Sequence, residues 1–254
     1  MARPLKRFVK SPALAGLVGL FVVAGLFEVG VATKVLSPLV FARPTQAIAA
    51  VKTLQTDEGL TPAFLITLGE TLAATVLAIL VGMPGGYLLY RRRTLGEAYE
   101  GWLAAMFAAP IVLLYPLFLV IVGRGYVSVI LMGFIPAAIP ILLKTREGLL
   151  TVSRTLLDVG RSFRLSGRDM FWKVMFPASV PSMFTGIRLG IMYALVNIVA
   201  IEYLVDFGGL GRIVSDMYFR FEVPGTYASI LFVVIVSVVF NWGFGWIERR
   251  LRPA

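Results

Sequence analysis

The 254-residue chain contains no cysteine and no histidine. Their absence removes disulfides, thiolate and imidazole metal ligands, and the commonest nucleophile and general base of enzyme active sites. Charge is scarce as well: 15% of the residues are Asp, Glu, Lys or Arg, against 58% hydrophobic, and the mean hydropathy is +0.86. So few charges cannot clothe a water-exposed surface, which excludes a soluble globular domain and leaves an all-α polytopic membrane protein. The chain has no Gly-Lys pair and so no Gly-x-x-x-x-Gly-Lys-Ser/Thr loop to cradle nucleotide phosphates. Any use of ATP must fall to another polypeptide.

Long apolar runs are what the chain does have, and six are expected to span, at about 12–31, 61–90, 101–122, 126–143, 182–205 and 226–246. The first follows a basic start (Arg3, Lys6, Arg7, Lys10) and has no clear small-x-small cleavage site after it, so it reads as a retained span. Glu28 near its far end reads as an interfacial residue. In the second run Thr67, Thr71, Ala74, Ala78, Gly82 and Gly85 recur at three- or four-residue steps. Such a small stripe suits close helix packing, with pore lining as the alternative. Glu70 lies beside it, and a carboxylate within a span must face protein or water. Pro110 and Pro116 interrupt the third run and predict a bent backbone through AAPIVLLYP. Gly186, Gly190, Ala194 and Asn197 repeat the small stripe on the fifth run.

Eighteen of the 24 basic residues fall on the side of the two termini, leaving Lys34, Arg43, Lys52, Arg124, Arg212 and Arg220 opposite. By the positive-inside rule both termini and the loop between the fourth and fifth spans are expected in the cytoplasm. The net charge of +10 therefore tracks sidedness rather than nucleic-acid binding.

That loop, 144–181, is the longest charged interval. It reads as two short amphipathic helices, with Leu149, Val152, Leu156 and Val159 on the first, Met170, Phe171, Val174 and Met175 on the second, and a break at Ser166-Gly167. Its Asp158-Val159-Gly160, Arg164, Val174, Phe176 and Pro177 resemble the Glu-Ala-Ala loop motif of ABC importer permeases, with Arg164 where the family has Gly. The continuation PASVPSMFTGIRLG and the later IEYLVDFGGLG resemble the nitrate, sulfonate, taurine and bicarbonate branch of that family, as does the proline-interrupted third run. The resemblance covers about 61–252.

The resemblance implies a type I importer (MetI-like) fold with six transmembrane helices and a cytoplasmic coupling hairpin. It divides the chain into 1–60, holding the tail, first span and outer connection, and a permease core at 61–252. It also implies a second permease copy, two cytoplasmic ATPase subunits that carry ATP and Mg, and a periplasmic or lipid-anchored solute-binding protein, all at a bacterial inner membrane. No cofactor is expected on this chain, and the solute would be nitrate-, sulfonate- or taurine-like. Asp158, Gly160, Arg161, Ser162, Phe163, Arg164 and Gly167 are then the candidates for ATPase coupling. Glu70, Thr71, Tyr115, Asn197, Glu202 and Leu210 are the candidates for gate or pathway.

Gly208-Gly209-Leu210-Gly211 is expected to form an outer gate or an ordinary turn, with Glu202 tethering it and Arg212 as the acid's partner. Two other classes were weighed against the same residues. An intramembrane enzyme would have to use Glu28, Glu70 and Glu202, which lie on three different spans. A secondary transporter coupled through those carboxylates would be expected to show a duplicated half, which the chain lacks.

Overall fold

The computed structural model describes residues 12–251. The basic tail (Arg3, Lys6, Arg7, Lys10) and Arg252 lie outside the described residues. Among those described there are only helices, turns and loops. In order they are α1 (Pro12–Ala32), α2 (Pro44–Asp57), α3 (Leu60–Arg91), α4 (Arg93–Ala108), a 3-10 turn (Ile111–Leu114), α5 (Tyr115–Val122) and α6 (Tyr126–Leu150). The hairpin follows as α7 (Arg154–Ser162) and α8 (Gly167–Met170), then a π-helical turn (Phe171–Met175), α9 (Phe176–Val205), α10 (Gly209–Phe219) and α11 (Val223–Leu251).

Five helices are long and apolar enough to cross a membrane, and the bent pair of α4 with the 3-10 turn and α5 brings the number to six. That pair turns through 85° at Ala109-Pro110, so the expected bend is present. Pro110 ends one helix, whereas Pro116 sits in the first turn of the next, where a missing N–H costs nothing.

Three boundaries differ from the sequence reading. The third span begins its helix at Arg93 rather than 101. The fourth runs on to Leu150, so Lys144, Arg146 and Glu147 belong to a membrane helix, not to the loop. Arg146 is buried there, paired with Glu100 at 2.7 Å, and a Cβ on Gly96 would strike its guanidinium. The fifth helix begins at Phe176 rather than 182, because the second hairpin helix passes into it through the π turn without a break. The chain break in the hairpin lies at Phe163–Leu165, with Ser166 already capping α8 through its hydroxyl.

The chain forms two compact units: the described residues up to Leu60 with Ile213–Phe232, and Thr61–Arg212 with Val233 onward. In the first, Glu28 accepts from the Thr45 hydroxyl (2.8 Å) and amide (3.1 Å), so it caps α2. Arg220 pairs with Glu58 at 2.6 Å.

The second unit is built on α6 sandwiched between α3 and α9. A Cβ on Gly82 of α3 would lie 3.0 Å from the Ala138 carbonyl, and one on Gly190 of α9 2.9 Å from that of Ala137. Both helices therefore approach the α6 backbone as only glycine allows, the geometry by which membrane helices gain van der Waals contact. Ala74, Ala78, Met132, Ala194, Ile198 and Ile201 fill the core between them. Thr67, Thr71, Ala74, Ala78 and Gly82 of the α3 stripe are buried, and Gly85 at its end is half-buried. On the other side of α9, Arg188 pairs with Glu248 (2.7 Å) and Asn241 (2.8 Å) of α11, and Thr185 donates to Glu248 (2.8 Å).

Candidate functional site

Two clusters in the second unit carry the candidate residues. The first lies where α3, α9 and the glycine turn meet. Helix α9 ends at Asp206 in the left-handed conformation, with Arg124 donating to the Val205 (2.6 Å) and Asp206 (2.7 Å) carbonyls. Two left-handed glycines follow, Gly208 (φ 62) and Gly209 (φ 65), and α10 starts at once. The first amides of any helix have no intrahelical acceptor. Here Glu202, reaching across from α9, accepts the Gly211 amide at 2.8 Å, and the Thr67 hydroxyl of α3 accepts the Leu210 amide at 2.8 Å.

The Thr67 hydroxyl in turn donates to Glu202 at 2.7 Å. Its proton could reach the Ala63 carbonyl only at 3.3 Å, so the shorter bond to a carboxyl oxygen takes it. A Cβ on Gly209 would overlap the Glu202 carboxyl, and one on Gly211 would strike the Val199 carbonyl. The result is a three-segment knot in which Glu202 is 0% and Leu210 2% exposed.

Glu70, one turn along α3 from Thr67, is buried beside Glu202, and neither of its carboxyl oxygens has a hydrogen-bond partner among the described residues. The donors to Glu202 are thus a hydroxyl and a backbone amide, not the Arg212 guanidinium expected from sequence. Backbone donors leave no trace in residue identity, although a Gly-rich helix start seven residues after a buried acid is a usable signal.

Two other pathway candidates are placed apart from this knot. Tyr115 is buried in the helix core, and the Asn197 amide donates to the Tyr193 carbonyl of its own helix at 2.9 Å. Thr71 is wholly buried, and no partner for its hydroxyl occurs among the described residues.

The second cluster is the hairpin. Gly160 is buried, and a Cβ there would lie 2.7 Å from Met170, so the glycine lets α7 meet the second helix. Ser153 caps α7 by accepting the Leu156 amide, and Asp158 pairs with Arg161 at 2.8 Å on the surface. The Ser162 hydroxyl is turned back onto the Asp158 carbonyl. Arg164 has φ 51, the left-handed conformation that glycine adopts most easily, which explains why a Gly position can exist there. Leu156 and Val159 are exposed, Phe163 is 76% exposed, and a Cβ on Gly167 would meet nothing within 4 Å.

The chain thus carries an exposed apolar hairpin between two helices long and apolar enough to cross a membrane. The comparisons define it further: residues 74–253 match the model of the binding-protein-dependent transport system inner membrane component family, and the chain belongs to that family. It is 28% identical over 199 residues to the nitrate import permease NrtB of Synechocystis sp., covering 78% of this chain and 72% of that one. It is 25% identical over 198 residues to the bicarbonate transport system permease CmpB of the same organism, covering 78% and 71%.

In fold it resembles a chain from inward-facing conformations of the MetNI methionine ABC transporter, with TM-score 0.67 and 20% identity, covering 76% of this chain and 96% of that one. A chain of an amino acid ABC transporter gives TM-score 0.64 at 14% identity, covering 79% and 97%. The protein is a multi-pass permease of an ABC importer. Family membership sets aside the carboxylate-coupled secondary transporter and the intramembrane enzyme.

Proposed function

We propose that this permease imports a small oxyanion or sulfonate, working with a separate ATPase that carries ATP and Mg and with an external solute-binding protein. The nitrate and bicarbonate relatives support the solute class. Two copies of the chain enclose the path, since closed two-fold pairing is the commonest oligomer geometry and six spans are too few to enclose a path alone. Both termini and the hairpin face the cytoplasm, in keeping with the eighteen-to-six bias of basic residues.

The observation that carries the ATPase assignment is the hairpin tip. An unburied Phe163 beside Leu156 and Val159, next to a left-handed Arg164, offers the apolar anchors by which an amphipathic helix enters a groove on a partner. Glu202 and Thr67 act as a tether that holds Leu210 over the end of the helix core, so the glycine turn serves as an outer gate. The chain should be co-purified with its ATPase as wild type and as Phe163→Ala with Arg164→Glu. Loss of the ATPase from an otherwise folded double variant is expected, and a complex that purifies intact with normal stimulated turnover would refute the assignment. ATP-dependent nitrate, bicarbonate or sulfonate uptake into vesicles containing all the subunits tests the solute class.

A further inference from the structure

Between the last turns of α3, the end of α6 and the second half of the hairpin lies a cavity of about 800 Å³, within the ~300–1,000 Å³ range of small-molecule sites. Its walls are aromatic. Tyr87 packs on Phe171 at 4.7 Å between ring centroids, Phe171 on Trp172 at 5.2 Å, and Trp172 on Phe176 at 5.3 Å, so the rings fix one another in tilted and edge-on contacts. Trp172 is 56% exposed at the mouth, an unusual place for so large an apolar surface.

Two further features give the cavity a polarity that helix packing does not need. Arg91 and Arg168 stand at the rim, and among the described residues neither guanidinium has an ion-pair partner, the neighbouring Asp169 being engaged by Lys173 at 2.8 Å and by the Ser166 hydroxyl at 2.7 Å. Thr145, a residue only 1% exposed, borders the cavity, and its shielded hydroxyl has no hydrogen-bond partner among the described residues. A buried hydroxyl left unsatisfied costs stability, which is recovered when a ligand supplies the missing bond.

The geometry points to a binding site for a small aromatic anion: a planar ring system held among Tyr87, Phe171, Trp172 and Phe176, its sulfonate or carboxylate at Arg91 and Arg168, and a polar substituent at Thr145. Guanidinium groups match such oxyanions through paired hydrogen bonds, and planar rings rather than flexible acyl chains suit walls built from mutually braced aromatic rings. On the orientation proposed above the site opens to the cytoplasm, and it rests on that reading for its sidedness alone.

The test is equilibrium binding of radiolabelled naphthalene-2-sulfonate to the full chain in phosphatidylcholine nanodiscs. Saturable binding at one site per chain is expected, weakened about tenfold or more by Arg168→Gln and by Arg91→Gln and severalfold by Thr145→Val and Trp172→Ala. Arg93→Gln, whose guanidinium is paired with Glu97 outside the cavity, should bind as wild type. Neutral 2-naphthalenemethanol should fail to compete. No saturable binding, competition by the neutral analogue, or equal binding by all the variants would overturn the proposal. Displacement by phosphatidylglycerol in the disc would overturn it too, by assigning the cavity to lipid. Thermal unfolding of each variant in detergent separates lost binding from lost fold. If binding fails while vesicles of the whole complex still import by ATP, the importer reading stands and this one falls; the reverse result condemns the importer reading alone.

Discussion

The knot around Glu202 and the hairpin around Arg164 use the same local devices to opposite ends. Both have a serine, threonine or acid at a helix start, a glycine pressed against a neighbour, and a residue in the left-handed region. In the knot every device is closed on the chain itself: the amides of α10 find Glu202 and Thr67, and Leu210 is buried. In the hairpin only the inner face is closed, by Gly160 on Met170, while Phe163 and Trp172 stand out in solvent. A polar group buried without a partner costs stability, whereas an apolar group left in solvent only forgoes it. Damage to the knot should therefore appear in the chain alone, and damage to the hairpin only when a partner is present.

The largest effect is expected at Gly209. Its φ of 65 and the Glu202 carboxyl occupying the place of a Cβ leave alanine no room, and backbone strain adds to the displacement of the cap. Gly209→Ala should cost more than about 2 kcal/mol, read as a large fall in apparent Tm and in the yield of monodisperse protein in detergent. Gly167→Ala is the matching change in the hairpin, where a Cβ meets open space, and it should leave both readouts unmoved. If the two behave alike, the contrast between the regions is wrong.

Next comes the carboxyl pair. Glu202→Gln replaces one of two acceptor oxygens with a donor facing either the Thr67 hydroxyl or the Gly211 amide, leaving one of them unsatisfied at about 1–3 kcal/mol. Glu70→Gln instead supplies an N–H toward Glu202, so it should cost under about 1 kcal/mol. Paired thermal melts check the order, and a Glu70 variant as unstable as the Glu202 one would show that Glu70 has a role beyond facing its neighbour. On the proposed tether role, Glu202→Gln should lower coupled transport without altering the ranking of competing anions; an altered ranking would move Glu202 into the solute path.

Phe163→Ala reverses the pattern. With most of its surface already in water, its loss should change the stability of the chain by less than about 0.5 kcal/mol, yet it should release the ATPase on size exclusion. A variant that melts early while retaining the ATPase would place Phe163 in the fold and not at the contact.

What could be read from sequence follows the same division. Spans, hairpin and small stripes were legible because hydropathy and periodicity are local, and the bend at Pro110 because proline writes its effect into one residue. The helical extensions of α6 to Leu150 and of α9 back to Phe176 were not, because Arg146 looks like a loop residue until Glu100 and Gly96 are brought beside it from another helix. The Glu202 knot was half legible: the acid and the glycines stood out, but its true partners are an amide and a threonine 135 residues away. Assigning it to Arg212 followed proximity in sequence, which tertiary contact overrode.

The smallest effect is also the sharpest test of the hairpin. Arg164 sits at φ 51, where a non-glycine residue pays about 1–2 kcal/mol that glycine does not, and glycine returns part of that gain through the greater freedom of its unfolded chain. Arg164→Gly should therefore leave the chain as stable as wild type or better by up to about 1 kcal/mol. An arginine that is dispensable for the turn and exposed on it is placed to meet a group outside the chain. If it meets an acidic or carbonyl-rich rim on the ATPase, Arg164→Gly should weaken association severalfold and Arg164→Glu much more, with both losses shrinking as salt is raised. Association that is unchanged by Arg164→Gly, with the turn stabilised, would show that the arginine is tolerated rather than used, and docking would then rest on Phe163 alone.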